Sequence, residues 1–241
     1  MRGQQDYGAM AAKEVSASVS DMGEVAARLG SIVTYDKRGD VVDFDNFEEP
    51  VLKWNASTPH AGCAIYLDSA IAKSGSQSVK LVTPDIASAP TALGKYFPLV
   101  GSKQLGLEVS WCQLTEQTDL RIWLQYFTGA KLLTAAVRLD LTAGKIYLFT
   151  PSGVWKDIEV HLAPLDIGFA FSTLKLVADF NAKYYKRLLL ANAEKDLSSE
   201  AMWEQANSAT AGTATTFQLI NQDALGGYVW IDDVIWTQAE P

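Results

Sequence analysis

Residues 105–111 read Leu105-Gly106-Leu107-Glu108-Val109-Ser110-Trp111, large apolar side chains alternating with small or polar ones. A period of two sends successive side chains to opposite faces of an extended chain, so this stretch is a β-strand with one dry face. Downstream, Val137, Leu139 and Leu141 alternate with Arg138 and Asp140. The turn Thr142-Ala143-Gly144-Lys145 then leads into Ile146-Tyr147-Leu148-Phe149, which makes a hairpin. Further strands are expected over 78–83, 120–127, 174–180, 184–191, 216–220 and 228–236, with Gly, Pro, Asn and Asp between them. Many short strands at close spacing specify a sandwich or barrel rather than alternating β and α units.

The amino-terminal part has a different pattern. Residues 1–19 are small and polar, with no periodic apolar face, and read as an arm. Asp21 and Glu24 then form a capping box, Met22, Val25, Ala26 and Leu29 fall on one helical face, and Gly30 stops the helix. A helix of about ten residues is marginal alone, so Met22, Val25 and Leu29 are expected to rest on the domain or on another subunit. Residues 31–35 and 41–44 are rich in β-formers around the polar turn 36–40, which predicts a second hairpin. The chain divides on this basis into an arm, helix and hairpin over 1–42, suited to docking, and a sandwich over 43–241. A second helix is expected over 199–207, followed by a small-residue loop over 208–215.

The 241 residues carry a charge of 20 − 28 = −8, with 48% hydrophobic and 20% charged side chains, the balance of an ordinary globular protein and not of a disordered chain. No basic run exceeds Lys37-Arg38 or Lys186-Arg187, so binding to nucleic acid, which rests on clustered Lys and Arg, is not expected. No apolar run approaches the roughly 18 residues of a membrane span, and no membrane partner is expected. The start, Met1 to Asp6, leads into a polar stretch without the apolar core of a secretory signal, so export by that route is not expected either. Cys63 and Cys112, far apart in sequence, read as buried free thiols.

None of the common catalytic signatures occurs: no nucleophile elbow, phosphate-binding loop, zinc-protease helix or dinucleotide turn. His60 and His161 stand outside any motif and read as loop or surface residues. Glu108, and Asp157 with Glu159, read as solvated strand positions rather than an acid and base pair. The chain is therefore not expected to be an enzyme, and no cofactor is required. The aromatic residues, 7 Trp, 9 Tyr and 9 Phe, are the better lead. Sugar rings stack on Trp and Tyr, and the same rings anchor protein interfaces. Strict alternation along the last strand puts Tyr228, Trp230, Asp232, Val234 and Trp236 on one face and Val229, Ile231, Asp233 and Ile235 on the other, and one of the two must be core. Trp123 and Gln125, on the opposite phase from Tyr126, pose the same choice. The candidate ligand-binding residues are Trp123, Tyr228, Trp230 and Trp236.

Three segments share a known pattern: Asp45-Asn46-Phe47-Glu48-Glu49 with Trp54, Ser74-Gly75-Ser76-Gln77-Ser78-Val79-Lys80-Leu81, and Tyr228-Val229-Trp230-Ile231-Asp232-Asp233-Val234. In this order they resemble the opening, the second strand and the closing strand of the galactose-binding-like jelly rolls, which include many carbohydrate-binding modules. The resemblance spans about residues 43–238. It implies an all-β, two-sheet antiparallel jelly-roll β-sandwich whose first and last strands are adjacent. It also implies a structural Ca²⁺ near those strands, with Asp45, Glu48 and Asp232 as the oxygen donors. Residues 20–47 resemble the start of phage and prophage structural proteins.

Together these features describe a non-enzymatic structural or adhesive subunit of a large assembly, a phage virion protein such as a capsid decoration or tail-associated protein. Its partners would be other copies of itself and a capsid or tail protein, and its location the virion. The alternative is a carbohydrate-binding module with an aromatic platform, a glycan partner and an extracellular or cell-surface location.

Overall fold

A computed structural model describes residues 35–36, 38–97, 101–113, 118–162, 170–190, 193–223 and 225–241. Every regular element among them is a β-strand, and the strands, numbered in chain order, form two antiparallel sheets. The first sheet runs β13 (Ala193–Asp196), β12 (Tyr184–Leu190), β11 (Ser172–Asp179), β6 (Gln104–Gln113), β16 (Gly227–Gln238), β4 (Ser78–Thr83) and β3 (Ala64–Asp68), with β1 (Asp40–Asp45) also paired to β16. The second runs β10 (Trp155–His161), β9 (Lys145–Phe149), β8 (Lys131–Asp140), β7 (Thr118–Phe127), β15 (Gly212–Asn221), β5 (Pro90–Phe97) and β2 (Asn55–Ser57), with β14 (Trp203–Ala206) also paired to β8. This is the two-sheet sandwich expected from the strand spacing, and its first and last strands are neighbours, Asp45 opposite Val234.

The alternation in residues 105–111 places one side of β6 in the core. Leu105, Leu107, Val109 and Trp111 are buried there against Leu120, Ile122 and Leu124 of β7 and Phe217 and Leu219 of β15. Each such side chain, withdrawn from water, contributes about 1.5–3 kcal/mol. Aromatic pairs cross between the sheets: Phe97 stacks on Trp236 at 4.5 Å and Tyr126 on Phe180 at 5.6 Å.

The strict alternation expected along the last strand does not hold. The pairing of β16 with β6 shifts register between Asp232 and Ile235, and Asp233 adopts φ 46°. One extra residue in a strand forms a bulge and exchanges the faces beyond it. Val229 and Ile231 point inward before the bulge, and Val234 and Trp236 point inward after it, so Trp230 and Trp236 lie on opposite faces.

Other expectations are also corrected. Residues 41–44 form a strand paired with β16, while the expected hairpin arm over 31–34 lies outside the described residues, as do the expected helix over 21–29 and its face of Met22, Val25 and Leu29. The second expected helix is not formed. Within 199–207, Trp203–Ala206 is β14, paired with Lys131–Thr134 along the edge of β8 that β9 leaves open, and β15 already begins at Gly212. An unfilled sheet edge offers a full set of backbone partners, and tertiary pairing overrides local helix preference.

The outer face of the first sheet is covered by the protein's own chain. Glu108 points outward from β6 yet is 2% exposed, because its carboxylate accepts hydrogen bonds from the backbone N–H of Tyr35 (2.7 Å) and Asp36 (3.3 Å). This is no solvated position, and burial pushes the Glu108 carboxyl up to about 7. Beside it the buried Lys175 ammonium meets Glu240 at 2.7 Å and Asp36 at 3.2 Å and donates to the carbonyl of Arg38. A loop over 69–77 covers the adjoining part of this face: Asp232 accepts from the backbone N–H of Lys73 and Ser74, and Ser74 donates to Asp233. Burial first, and the neighbouring Asp233 second, push the Asp232 carboxyl up to about 7.

Candidate functional site

With the middle of the first sheet's outer face covered by the protein's own chain, the outer face of the second sheet presents the larger group of partly exposed aromatic rings. Ile122 and Leu124 of β7 fill the core, so Arg121, Trp123 and Gln125 between them point outward. Register fixes their neighbours. Trp123 lies between Thr216 of β15 and Ala136 of β8, and Thr216 is flanked in turn by Gly94 of β5. One row along, Tyr96, Ala214, Gln125, Thr134 and Trp203 cross five strands from β5 to β14. Four strand spacings set Tyr96 and Trp203 about 19 Å apart, with small and polar side chains between them. The result is a trough with aromatic walls.

The walls differ. Tyr96 stands 71% exposed, within 6.2 Å of the Phe127 ring. Across the floor the half-buried rings of Trp123, Phe149, Trp155 and Trp203 pack together, Trp123 lying edge-on to Phe149 at 5.3 Å and to Trp155 at 5.6 Å, and Phe149 lying 5.6 Å from Trp203. On the floor, the Thr134 hydroxyl is buried without a hydrogen-bond partner. Next to Trp123 stands a charged row: Arg121 opposite Arg138, with Arg138 opposite Tyr147, and one step further Asp119 opposite Asp140. The Arg138 guanidinium lies 4.1 Å from the Tyr147 ring centre, and that of Arg121 lies 5.5 Å from Trp155. Burial raises the Asp119 carboxyl above its ordinary value and lowers Arg121 below its own. Hollows at Ala130 with Ala206–Ala209, and between β10 and residues 195–200, lie at the margins of the sandwich and away from these rings.

Of the candidate residues read from the sequence, Trp123 lies in this trough. Trp236 is 1% exposed in the core, stacked on Phe97. Trp230 is 4% exposed on the covered face of the first sheet, packed with Ile71 and Cys112, its indole N–H donating to Asp68 at 2.9 Å. Tyr228 lies beside it, and the Lys80 ammonium sits 4.6 and 4.5 Å from the two ring centres. The four aromatics thus serve three different surfaces. Tyr96, Trp155 and Trp203 were not singled out from the sequence, although each is a large ring beside a charged or polar residue, Lys95, Lys156 and Glu204. His60 and His161 are exposed, Cys112 is a buried free thiol and Cys63 a partly buried one.

No protein-family model matches this chain, and no curated protein does. Solved structures do. A cellulose-induced protein aligns over 81% of this chain and 96% of its own, with 16% identity and a TM-score of 0.52. An endo-β-1,4-glucuronan lyase from Trichoderma reesei aligns over 83% and 96%, with 11% identity and a TM-score of 0.53. A family 22 carbohydrate-binding module from Clostridium thermocellum Xyn10B aligns over 83% and 93%, with 14% identity and a TM-score of 0.40. The likeness is one of fold.

The calcium implied by the jelly-roll resemblance does not fit the residues present. β1 and β16 are adjacent, but Asp45 turns toward the second sheet, where it accepts from the backbone N–H of Phe47 and from the Trp54 indole at 2.9 Å, with Lys95 at 3.8 Å. Asp232 turns the other way, to Lys73 and Ser74. Glu48 accepts from the backbone N–H of Ser76 and Gln77 and from the Ser76 hydroxyl, contacts that hold its carboxyl below the usual range. Gly75 makes that grip possible: it adopts φ 67°, and a Cβ there would come within 2.4 Å of the Glu48 carboxylate. Among the described residues no three His, Cys, Asp or Glu side chains gather to hold a metal ion. The Lys73 ammonium supplies positive charge beside Asp233, at 3.3 Å, and donates to Ser110 and Thr173.

Proposed function

We propose that this chain is a carbohydrate-binding domain and that the trough on the second sheet is its glycan site. The observation that carries this is the set of partly exposed aromatic rings, Tyr96 on one wall and Trp123, Trp155 and Trp203 on the other, around a floor of Gly94, Thr216, Gln125 and Thr134. Rings of this kind stack on the apolar faces of sugars, and hydroxyl and amide side chains between them meet the sugar hydroxyls. The fold, shared with a cellulose-induced protein and a glucuronan lyase, agrees with this use. An extracellular or cell-surface location belongs to the same proposal.

Of the two readings of the sequence, the virion subunit with capsid or tail partners rests on the resemblance of residues 20–47, the arm, helix and hairpin over 1–42 and the lack of catalytic motifs, and no observation among the described residues supports it. The proposed role is binding without turnover. The experiment is calorimetric titration of purified protein with a panel of soluble polysaccharides, beside a Trp123→Ala variant. Binding by the wild type is expected, weakened by about 1–3 kcal/mol in the variant with unchanged melting temperature, as for other aromatic anchors. Equal binding by both proteins removes the trough from the site, and new reducing ends released from any polysaccharide overturn the non-enzymatic part.

A further inference from the structure

The charged row beside Trp123 is not explained by folding stability. Like charges directly opposed on neighbouring strands are destabilising, and here they occur twice in succession, Arg121 against Arg138 and Asp119 against Asp140. The crossed pairs offset this only loosely. Arg138 Nη2 donates to Asp140 at 3.2 Å, while Arg121 Nη2 and Arg138 Nε stand 3.5 and 3.7 Å from a single oxygen of Asp119. The other Asp119 oxygen accepts from Gln222. The Nε atoms of both arginines are buried without a hydrogen-bond partner. Each guanidinium carries five N–H donors in a rigid fork, so most of the pair's hydrogen-bonding capacity is left over in a chain whose net charge is −8.

From this we infer that the glycan is an acidic one, its anionic group docking on Arg121 and Arg138 while a sugar ring lies against Trp123 and Trp155. The inference rests on the glycan-binding role of the same trough. A planar guanidinium fork matches a carboxylate or a sulfate with two parallel N–H···O bonds, which a neutral hydroxyl does not reproduce. The Arg138 guanidinium, 4.1 Å from the Tyr147 ring and 6.0 Å from that of Trp155, is held in place by stacking as well as by its single hydrogen bond to Asp140. A uronate carboxylate and a sulfate ester are two sources of such a charge, and the experiment separates them.

The test compares charged and uncharged forms of one backbone on the intact protein: oligoglucuronate against its carboxyl-reduced counterpart, and dextran sulfate against dextran. One acidic form is expected to bind at least about tenfold tighter than its neutral partner, the yield of a single charge-assisted bidentate contact. Arg121→Gln and Arg138→Gln are each expected to erase that preference, while Trp123→Ala weakens both forms alike. The better of the two acidic ligands identifies the source of the charge. Equal binding of charged and neutral forms by the wild type overturns the acidic preference and leaves the trough standing. Binding of neither, across the full polysaccharide panel, overturns the glycan-binding role itself. The wild-type comparison requires no variant to fold.

Discussion

Tyr185 is a β12 residue of the first sheet, 1% exposed, whose hydroxyl crosses the core to the second sheet. There it accepts from the backbone N–H of Ala136 at 2.9 Å and donates to the carbonyl of Phe149 at 2.8 Å, with the Ala136 carbonyl at 3.2 Å. The position has a purpose. Along that edge of β8, residues 137–140 pair with β9 and residues 131–134 with β14, so the backbone between them lacks a strand partner. The phenol fills this gap, and burial pushes its own ionisation well above the ordinary range. Tyr185→Phe removes one oxygen with little change of shape and orphans a buried N–H and a buried carbonyl. At about 1–3 kcal/mol for each buried group left unsatisfied, the expected loss for the two is about 2–6 kcal/mol. For a domain of roughly 200 residues, each kcal/mol lowers the melting temperature by about 2–4 °C. Urea unfolding of wild type and variant measures this, with a common m-value as the check that only stability has changed. A loss below about 0.5 kcal/mol, the scale of an ordinary surface substitution, would refute the bridging role.

Trp230→Ala is expected to cost about 3–5 kcal/mol through the cavity left on the covered face, with glycan affinity of the folded protein unchanged; a weakened affinity in calorimetry would return Trp230 to the site. Stability is expected to depend on pH through Glu108 and Asp232, whose carboxyls near 7 lie above their ordinary values of 4.5 and 3.8. The folded state holds these protons more tightly than the unfolded chain does. Their contribution is therefore complete below the ordinary values and is lost as pH rises through about 7, by up to about 1.4 kcal/mol per pH unit for each group. Carboxylates held low, such as Asp36 and Glu48, act in the opposite sense only in the more acidic range. Glu108→Gln should flatten the urea midpoint between about pH 5 and about pH 8, and midpoints of variant and wild type that run parallel would count against the assignment. Calcium or a chelator is expected to leave the melting temperature unchanged, since Asp45, Glu48 and Asp232 are already engaged by protein donors; a rise of several degrees with calcium would contradict this.

The strands of the core were legible because burial of one face leaves an alternation that composition alone does not produce. β4 matches its expected bounds, and β6, β7, β11 and β12 fall within a few residues of theirs. β5 was missed, and of β10 only Asp157 and Glu159 were read as strand positions, each for a local reason. Pro90 and Gly94 interrupt the first, and in the second a register shift after Asp157, with Glu159 at φ 58°, breaks the alternation. The bulge at Asp233 has the same effect on a larger scale, since a period of two cannot be carried across an inserted residue. β14 reads locally as a helix and becomes a strand only because β8 offers an open edge. Of the site, Trp123 was legible as one of several aromatics. Its companions Tyr96, Trp155 and Trp203 come from strands far apart in sequence and meet only through sheet register. Glu108 was assigned to solvent because alternation says which face a side chain takes, and not whether another part of the chain lies over that face.

The covered face and the trough point in opposite directions. Tyr35 and Asp36 lie across the outer side of the first sheet, and the Arg187 guanidinium on that side also donates to the carbonyl of Pro241. A sensor chip or bead that grips the protein through a tag joined to Pro241 would therefore present Trp123 and Tyr96 to the bulk solution.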